Sequence, residues 1–295
     1  MKASLLHKSD CILGEGPMWN SARKSFMWVD IEGKILYEYD WQNKKINQWN
    51  ISHRVSLIIE DGIDTVVLAL QGGVGIFNLL TGELTWMLDL EKEILSNRTN
   101  DGACDARGRL WVGTMDVNCK EGLGSLYCID EFLRVQKKLE NLSVSNGIAW
   151  SLSNDRMYHV DTPTGVASSY IFEVSTGDIK FEKKAIIVPA EMGSPDGMCM
   201  DEEGMLWIAH WDGFGVYRWN PHNGMLLDNI EVPVPQVTAC AFGGENLDHL
   251  FITTARQDFS QKQLEKYPES GNVFIAQPGI RGIVRHKFHR NALHG

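Results

Sequence analysis

The feature that most constrains the fold of this chain is a strand-like unit that recurs six times. Each copy contains an aliphatic residue followed by Tyr or Phe within a β-rich run, and turn signals such as Thr81-Gly82 follow several copies. The aromatic positions are Tyr37, Phe77, Tyr127, Phe172, Tyr217 and Phe274. Units of about 45 residues that hold several short strands are typical of β-propeller blades.

The repeats predict an all-β fold, a six-bladed β-propeller formed as a single domain by residues 1–295. A period near 45 residues is too long for a β-helix coil, and six similar units are too regular for most sandwiches. We expect the residues before Leu13 to close the ring by pairing with GNVFIAQP or GIRGIVRHKF in the C-terminal blade, which would remove exposed edges. Residues 260–269 are expected to form a short helical insertion.

Charge and composition exclude several classes of partner. A formal charge of −10 argues against nucleic acid, whose binding depends on clustered Lys and Arg. The N-terminus lacks the apolar core of a signal peptide, and no stretch approaches the roughly 20 apolar residues of a membrane helix. The six cysteines form no CxxC pair, so we expect reduced thiols and a cytoplasmic location. Propellers close their own edges, which makes a monomer the default expectation.

A short segment precedes each of the six β-rich runs, and polar residues recur at one offset within these segments. Four segments carry an oxygen-bearing side chain there: Glu15, Asn100, Asn146 and Asp196. Asn146-Gly147 by itself could instead form a type I′ hairpin turn, since Asn-Gly readily adopts positive φ angles. However, the first strand of every blade lines the central channel, and the four residues recur at the blade period. This regularity favours a common centre over four independent turns.

The four residues together have the chemistry of a cation site. One Glu, one Asp and two Asn carbonyls form an all-oxygen set of formal charge −2, which suits Ca²⁺, Mg²⁺ or Mn²⁺. Without a cation, two carboxylates in a narrow channel would repel and raise each other's pKa. The sequence therefore predicts one divalent metal ion in the channel, with Zn²⁺ as a less suitable occupant.

Longer motifs around these positions resemble the SMP-30/gluconolactonase family, also called regucalcin or senescence marker protein 30. The matching segments are GEGPMW, NRTNDGACDARGRLWVGTM, SNGIAWSLSNDRMYHVDT, SPDGMCMDEEGMLWIA and TACAFGGENLDHLFITTAR, in order along the chain. The resemblance implies a six-bladed propeller with one divalent metal in its channel and hydrolysis of sugar lactones. It also implies that Glu15, Asn146 and Asp196 bind the metal. Arg98 and Asn100 would bind substrate, with Asn100 near or in the metal shell.

The chain departs from the family in the stretch that follows GTM. Some members carry a longer loop there, with a Glu that contacts substrate. Here the loop is DVNCKEGLGS, which offers Asp116, Asn118 and Glu121 as substitutes. Asn118 is included in the predicted substrate-binding set, and this departure from the family bears on the identity of the substrate.

The leading hypothesis is metal-dependent hydrolysis of an aldonolactone to its aldonic acid. The metal would act as a Lewis acid, Asp196 as general base for water, and Arg98 as a donor to sugar hydroxyls or to developing negative charge. Three alternatives stay open: a calcium-binding protein without turnover, a lactonase or esterase for a non-sugar substrate or a phosphotriester, and a metal-free propeller of the strictosidine synthase type.

Other candidate residues are interpreted mainly as structural. The chain contains no GxSxG motif, which leaves a Ser-His-Asp esterase without a nucleophile. No metal-ligand spacing links His159 and His210, so both are expected to be structural. Most Trp residues lie in the β-rich runs and are expected in the core. Trp211, in the loop HWDGFG, is the one considered for stacking on a sugar ring.

Overall fold

A computed structural model describes residues 1–290 of the 295-residue chain. This part consists mainly of short strands joined by turns and loops, and it contains one α-helix, α1 (Gln261–Lys266), and two short 3₁₀ helices. The strands, in chain order, are β1 Ser4–His7, β2 Gly14–Asn20, β3 Ser25–Asp30, β4 Ile35–Asp40, β5 Ile46–Asn50, β6 Val55–Glu60, β7 Thr65–Leu70, β8 Gly73–Asn78, β9 Leu84–Asp89, β10 Asn97–Cys104, β11 Leu110–Asp116, β12 Gly124–Ile129, β13 Val135–Leu142, β14 Ser145–Trp150, β15 Arg156–Asp161, β16 Val166–Glu173, β17 Asp178–Ile187, β18 Ser194–Met200, β19 Leu206–Trp211, β20 Gly215–Asn220, β21 Met225–Glu231, β22 Val237–Gly243, β23 His249–Thr254 and β24 Val273–Ala276.

The strands form six antiparallel four-stranded sheets, which are the blades of a six-bladed β-propeller. Five blades use four consecutive strands each, from β2–β5 to β18–β21. The sixth is β22–β23–β24 completed by β1, whose Ser4 pairs with Ile275. The predicted fold is therefore confirmed, and GNVFIAQP is the segment that closes the ring. The predicted domain of residues 1–295 includes residues 291–295, which lie outside the described part.

The core is divided into six apolar clusters, one at each interface between neighbouring blades. Successive side chains of a strand point to opposite faces of its sheet, so one strand supplies two interfaces. In β3, Phe26 and Trp28 pack toward blade six, whereas Met27 and Val29 pack toward blade two. This arrangement explains why the strands are apolar at consecutive positions rather than at alternate ones.

Two of the turns after inner strands are built by a buried aspartate. Asp105 Oδ1 accepts hydrogen bonds from the backbone of Arg107 and Arg109, while its Oδ2 accepts from Trp111 Nε1 at 2.8 Å. Asp201 has the same role in blade five and accepts from Trp207 Nε1 at 2.9 Å. The carboxylates therefore satisfy the turn backbone and the indole donors of two fully buried Trp residues.

A C-terminal segment, residues 278–290, crosses the end of the channel at which the inner strands finish, and we call it the C-terminal strap. Pro278 and Gly279, the latter at a φ of 78°, end the pairing of β24, so GIRGIVRHKF forms this strap and no strand. The strap bonds to the turns after inner strands: Gly282 donates to Leu247 O, and Lys287 pairs with Glu60 at 2.8 Å. Its Phe288 is buried against blades two and three.

The short helical insertion is confirmed in the predicted segment. Helix α1 begins after Ser260, whose side chain accepts from the Gln263 backbone while Gln263 Oε1 accepts from the Ser260 backbone at 3.0 Å. This reciprocal pair is a capping box and accounts for where the helix starts. Within residues 1–290, no helix is long and apolar enough to cross a membrane.

Candidate active site

The candidate site lies where the inner strands begin, and an irregularity in those strands creates it. In all six inner strands the pairing register shifts near the start, for example between Glu15 and Met18 in β2 and between Pro195 and Met198 in β18. A bulge of this kind turns side chains out of the regular alternation. Glu15, Asn100, Asn146 and Asp196 all lie within these irregular segments, and each is at least 93% buried.

The other two inner strands carry hydroxyl residues at the shift. Ser56 Oγ lies 2.8 Å from Thr99 Oγ1, and Thr238 Oγ1 donates to Gly14 O at 2.6 Å. These two positions join neighbouring inner strands to one another. The site is therefore asymmetric: four blades contribute a carboxyl or amide side chain, and two contribute a hydroxyl that bonds to a neighbouring strand.

The glycines after Asn146 and Asp196 allow the inner strands to approach each other closely. A Cβ atom at Gly147 would lie 2.6 Å from Asp196 O, and one at Gly197 would lie 2.5 Å from Ala239 Cβ. Neither glycine has a positive φ angle, and Asn146-Gly147 lies inside β14. The hairpin interpretation of Asn146-Gly147 is therefore wrong, because the glycine is needed for space between strands rather than for a turn.

A hydrogen-bonded chain connects the arginine to both asparagines. Arg98 Nη1 donates to Asn100 Oδ1 at 2.6 Å, and Asn100 Nδ2 donates to Asn146 Oδ1 at 2.9 Å. Asn146 Nδ2 in turn donates to Thr162 Oγ1 at 2.8 Å, which orients its carbonyl oxygen. The structure thus brings Arg98, Asn100 and Asn146 into direct contact across blades three and four.

Burial raises the pKa of the carboxyl groups in this part of the channel. Desolvation, reinforced by the negative charge of Asp101, raises the pKa of Glu15 to about 8, although the Gly16 N–H and Arg98 oppose the shift. The pKa of Asp196 is raised well above its ordinary value by burial first, and then by Glu15 and Asp101. The two predicted carboxylates are therefore close enough to destabilise each other's charge.

Asp101 is a third carboxyl group of the site that the sequence did not single out. It follows Asn100 in the same bulge, and desolvation raises its pKa to about 6 against the opposing Gly102 N–H and the positive charge of Arg285. Arg285 belongs to the C-terminal strap and donates to Pro17 O at 3.0 Å. The sequence signal for Asp101 is its place in the NDG motif, directly after Asn100.

These residues fit a divalent cation. Asp196 Oδ1 is completely buried and has no hydrogen-bond partner among the described residues, which is costly for an oxygen that carries charge. Within the same part of the chain, no group of three His, Cys, Asp or Glu side chains is arranged to hold a metal ion. A site here would therefore depend on the carbonyl oxygens of Asn100 and Asn146 as well as on the two carboxylates. Such a hard, all-oxygen donor set suits Ca²⁺, Mg²⁺ or Mn²⁺.

The loop that follows β11 lies at the same end of the channel. Val117 donates to Ser96 O at 2.8 Å, just before the strand that carries Arg98. Asn118 is exposed, and its backbone donates to Asp116 Oδ1, whereas the Asp116 side chain is fully buried. Of the three candidates in this loop, Asn118 and Glu121 are exposed to solvent near the entrance and Asp116 is not.

The two histidines occupy structural positions. His159 Nε2 lies 2.8 Å from Ser145 Oγ, and His210 Nδ1 lies 2.9 Å from Met192 O. Burial lowers the pKa of each histidine to about 4. Ser145 and His159 are both at least 98% buried, so their contact offers no accessible nucleophile. Trp211 is half-buried, and its backbone pairs with Ser194, next to the start of β18.

Comparison with known proteins agrees with this architecture. Residues 13–256 match the family model described as the SMP-30/Gluconolactonase/LRE-like region. A Bacillus subtilis protein, YvrE, whose name assigns it provisionally to the sugar lactone lactonases, is 31% identical over 277 residues, covering 94% of this chain and 95% of its own. Regucalcin of Bos taurus is 30% identical over 297 residues, covering 96% and 97%.

The solved structures give the same result. The crystal structure of a calcium-binding protein, regucalcin of Agrobacterium tumefaciens, superposes with a TM-score of 0.93 at 27% identity, covering 98% of this chain and 97% of that one. The resemblance inferred from the five sequence motifs is confirmed. This chain belongs to the SMP-30/gluconolactonase/LRE-like family.

Proposed function

We propose that this protein is a metal-dependent sugar lactone hydrolase that opens an aldonolactone to its aldonic acid. The observation that carries the proposal is the unpartnered, buried Asp196 Oδ1 in a channel where Glu15 and Asp101 also resist ionisation. The lactonase name of one relative and the gluconolactonase name of the family support the type of reaction. The calcium-binding description of a structural relative supports a divalent ion.

Glu15, Asn146 and Asp196 would hold the ion, with Asn100 beside it. When bound, the ion would supply Lewis-acid polarisation of the lactone carbonyl and stabilise negative charge on its oxygen. The charge it brings also favours the ionised form of Asp196, the form that can accept a proton.

Asp196 would act as the general base. Its carboxylate would accept a proton from the water that attacks the lactone carbonyl, a contribution of roughly 10²–10⁴-fold. The free Oδ1 is suited to this role because no donor of the described protein occupies it. Gly197, directly after it, donates its backbone N–H toward the carboxylate and limits how far the pKa rises.

Arg98 and Asn100 would bind and orient the substrate. Arg98 is 93% buried, and within residues 1–290 its hydrogen bonds come from Nη1 alone, to Thr99 O and Asn100 Oδ1. The rest of its guanidinium can donate to a sugar hydroxyl or to charge that develops during ring opening. Asn118, exposed on the loop at the entrance, would contact the far side of the substrate.

The test is a pH-indicator assay of acid release with a panel of aldonolactones. Chelator-stripped protein would receive Ca²⁺, Mg²⁺, Mn²⁺ or Zn²⁺ singly, and we expect hydrolysis of at least one lactone to require an added ion. Tight Ca²⁺ binding without turnover of any lactone would favour a calcium-binding protein instead. Turnover limited to simple aliphatic lactones would move the substrate to the non-sugar class.

Asp196→Asn is the variant that tests the proposed base. It preserves the size of the side chain but removes the proton acceptor, so we expect kcat to fall at least about 10²-fold. Asp178→Asn is the matched control, because Asp178 is a 73% exposed carboxylate on an outermost strand. An Asp196→Asn variant with near-normal kcat would refute the mechanism.

A further inference from the structure

Two cysteines from neighbouring blades lie next to each other where the inner strands of blades five and six pack together. Cys199 is on β18 and Cys240 is on β22, the inner strands of blades five and six. Their Sγ atoms are 3.6 Å apart, and both thiols are free. Neither residue takes part in the proposed hydrolysis. The pair is 41 residues apart in sequence and is brought together only by the packing of neighbouring blades.

The inner strands of blades five and six approach each other closely beside this pair. A Cβ atom at Gly197 would lie 2.5 Å from Ala239 Cβ and 2.9 Å from Ala239 Cα. Gly197 is two residues before Cys199, and Ala239 directly precedes Cys240. A disulfide needs Cβ atoms about 3.5–4.5 Å apart and an S–S bond of about 2.05 Å. The Sγ atoms, now 3.6 Å apart, must approach each other further to form the bond, and we assign this movement to rotation of the two side chains.

The two thiols differ in their surroundings. Cys240 is 99% buried, and its Sγ donates to Trp207 O at 3.3 Å, which holds the sulfur against blade five. Burial raises the pKa of its thiol well above the ordinary value. Cys199 is only half-buried and lines a cavity of about 270 Å³ beneath the C-terminal strap. Cys199 is therefore the thiol that a reagent can reach, and Cys240 is the one that would resolve the product.

We propose that Cys199 and Cys240 form a reversible dithiol–disulfide pair that links the inner strands of blades five and six. A low-molecular-weight disulfide is the oxidant. The Cys199 thiolate attacks one of its sulfurs, forms a mixed disulfide and releases one thiolate of the reagent. Cys240 then loses its proton to solvent and attacks Cys199 Sγ, which expels the second thiolate. Two electrons and two protons pass to the reagent, which leaves as two thiols.

The experiment uses the full-length protein with Cys119→Ser, which removes the exposed thiol. Native protein is equilibrated with 2-hydroxyethyl disulfide and its thiol at graded ratios, then quenched in denaturant with N-ethylmaleimide. We expect the alkylated thiols to fall from the five that remain to three, with a mass loss of two hydrogens. Non-reducing peptide mapping should place the link between Cys199 and Cys240, and the thermal unfolding midpoint should rise.

Two further variants make the result specific. With Cys240→Ser, the mixed disulfide should remain on Cys199, because the resolving thiol is gone. With Cys104→Ser, the link should still form, although Cys104 lines the same cavity. Five alkylated thiols at the most oxidising ratio, a link between other cysteines, or a link formed only in urea would each overturn the proposal. None of these readouts uses lactone turnover, so the proposed function is tested separately.

Discussion

At the scale of single residues, burial is what makes the channel a candidate cation site. Glu15, Asp101 and Asp196 are separated in sequence, yet Glu15 and Asp101 both lower the tendency of Asp196 to ionise, and Asp101 does the same to Glu15. The buried Arg98 opposes only part of this repulsion, and it is bonded to Asn100 rather than to a carboxylate. A divalent ion would offset the desolvation of two carboxylates at once, which a single guanidinium does not.

Metal binding should release protons at neutral pH. Because burial raises the pKa of Glu15 to about 8, this carboxyl keeps its proton in most metal-free molecules at pH 7. Burial also raises the pKa of Asp196, so Asp196 binds protons more tightly than an ordinary aspartate. A cation must displace those protons, so its affinity should increase as the pH rises toward 8 and weaken as the pH falls.

Calorimetric titration with CaCl₂ in two buffers of different ionisation enthalpy measures this release. The apparent enthalpies should differ in proportion to the buffer enthalpies at pH 7, and the difference should shrink in Glu15→Gln. Identical apparent enthalpies in both buffers would contradict the assignment of raised pKa values to the ligands.

At the scale of secondary-structure elements, the six inner strands share one bulge but carry different residue types in it. In four strands the bulge places a carboxyl or amide side chain in the channel. In the other two it places the hydroxyl of Ser56 or Thr238, which hydrogen-bonds to a neighbouring inner strand. The bulge sets the direction of the side chain. The residue type decides whether that side chain can bind a ligand in the channel or hydrogen-bonds to the neighbouring strand. Close packing of inner strands then depends on the glycine that follows the ligand.

Gly147→Ala should disturb the site without changing any ligand. The added methyl group would collide with Asp196 O, so β14 and β18 must separate, at a cost of about 1–3 kcal/mol in the free energy of unfolding. Calcium affinity should fall as well, because Asn146 and Asp196 are carried by those strands.

Urea unfolding and calcium titration measure both effects. Gly62→Ala serves as control, because the one close neighbour of its new Cβ is the Thr65 hydroxyl and it lies in a turn away from the site. The control should change the free energy of unfolding by less than about 1 kcal/mol. Equal stability and affinity in Gly147→Ala and the parent would show that the strands tolerate greater separation than we infer.

At the scale of the whole molecule, the two ends of the chain hold the ring together in different ways. The N-terminal strand β1 completes the sixth blade, so no blade is left with three strands. The C-terminal strap crosses the channel end opposite the candidate site and bonds to turns of several blades. It also brings the positive charge of Arg285 within electrostatic reach of Asp101.

Phe288→Ala should reveal the contribution of the strap. Phe288 is 95% buried among residues of blades two and three, so its truncation should cost about 3–5 kcal/mol of unfolding free energy. Val284→Ala in the same strap is the control, since Val284 is 75% exposed and should change stability by no more than about 0.5 kcal/mol. Similar urea midpoints for the two variants would show that the strap is only loosely attached.

The fold could be predicted from the sequence because its determinants are local and repeated. The blade period, the continuous apolar runs and the turn residues are all visible within about 45 residues, and each blade repeats them. The same regularity placed Glu15, Asn100, Asn146 and Asp196 at one offset, and the structure does bring these positions together in the channel.

Other features depend on which residues meet after the ring has closed. Four such features involve segments from different blades. They are the burial that raises the pKa of Glu15, the charge of Asp101, the path of the C-terminal strap and the contact of Cys199 with Cys240. No periodic pattern encodes them, because desolvation and charge repulsion act between atoms that are near in space, whatever their separation along the chain. The sequence by itself determined the blades and the positions that face the channel, whereas the tertiary structure decided which of those positions interact.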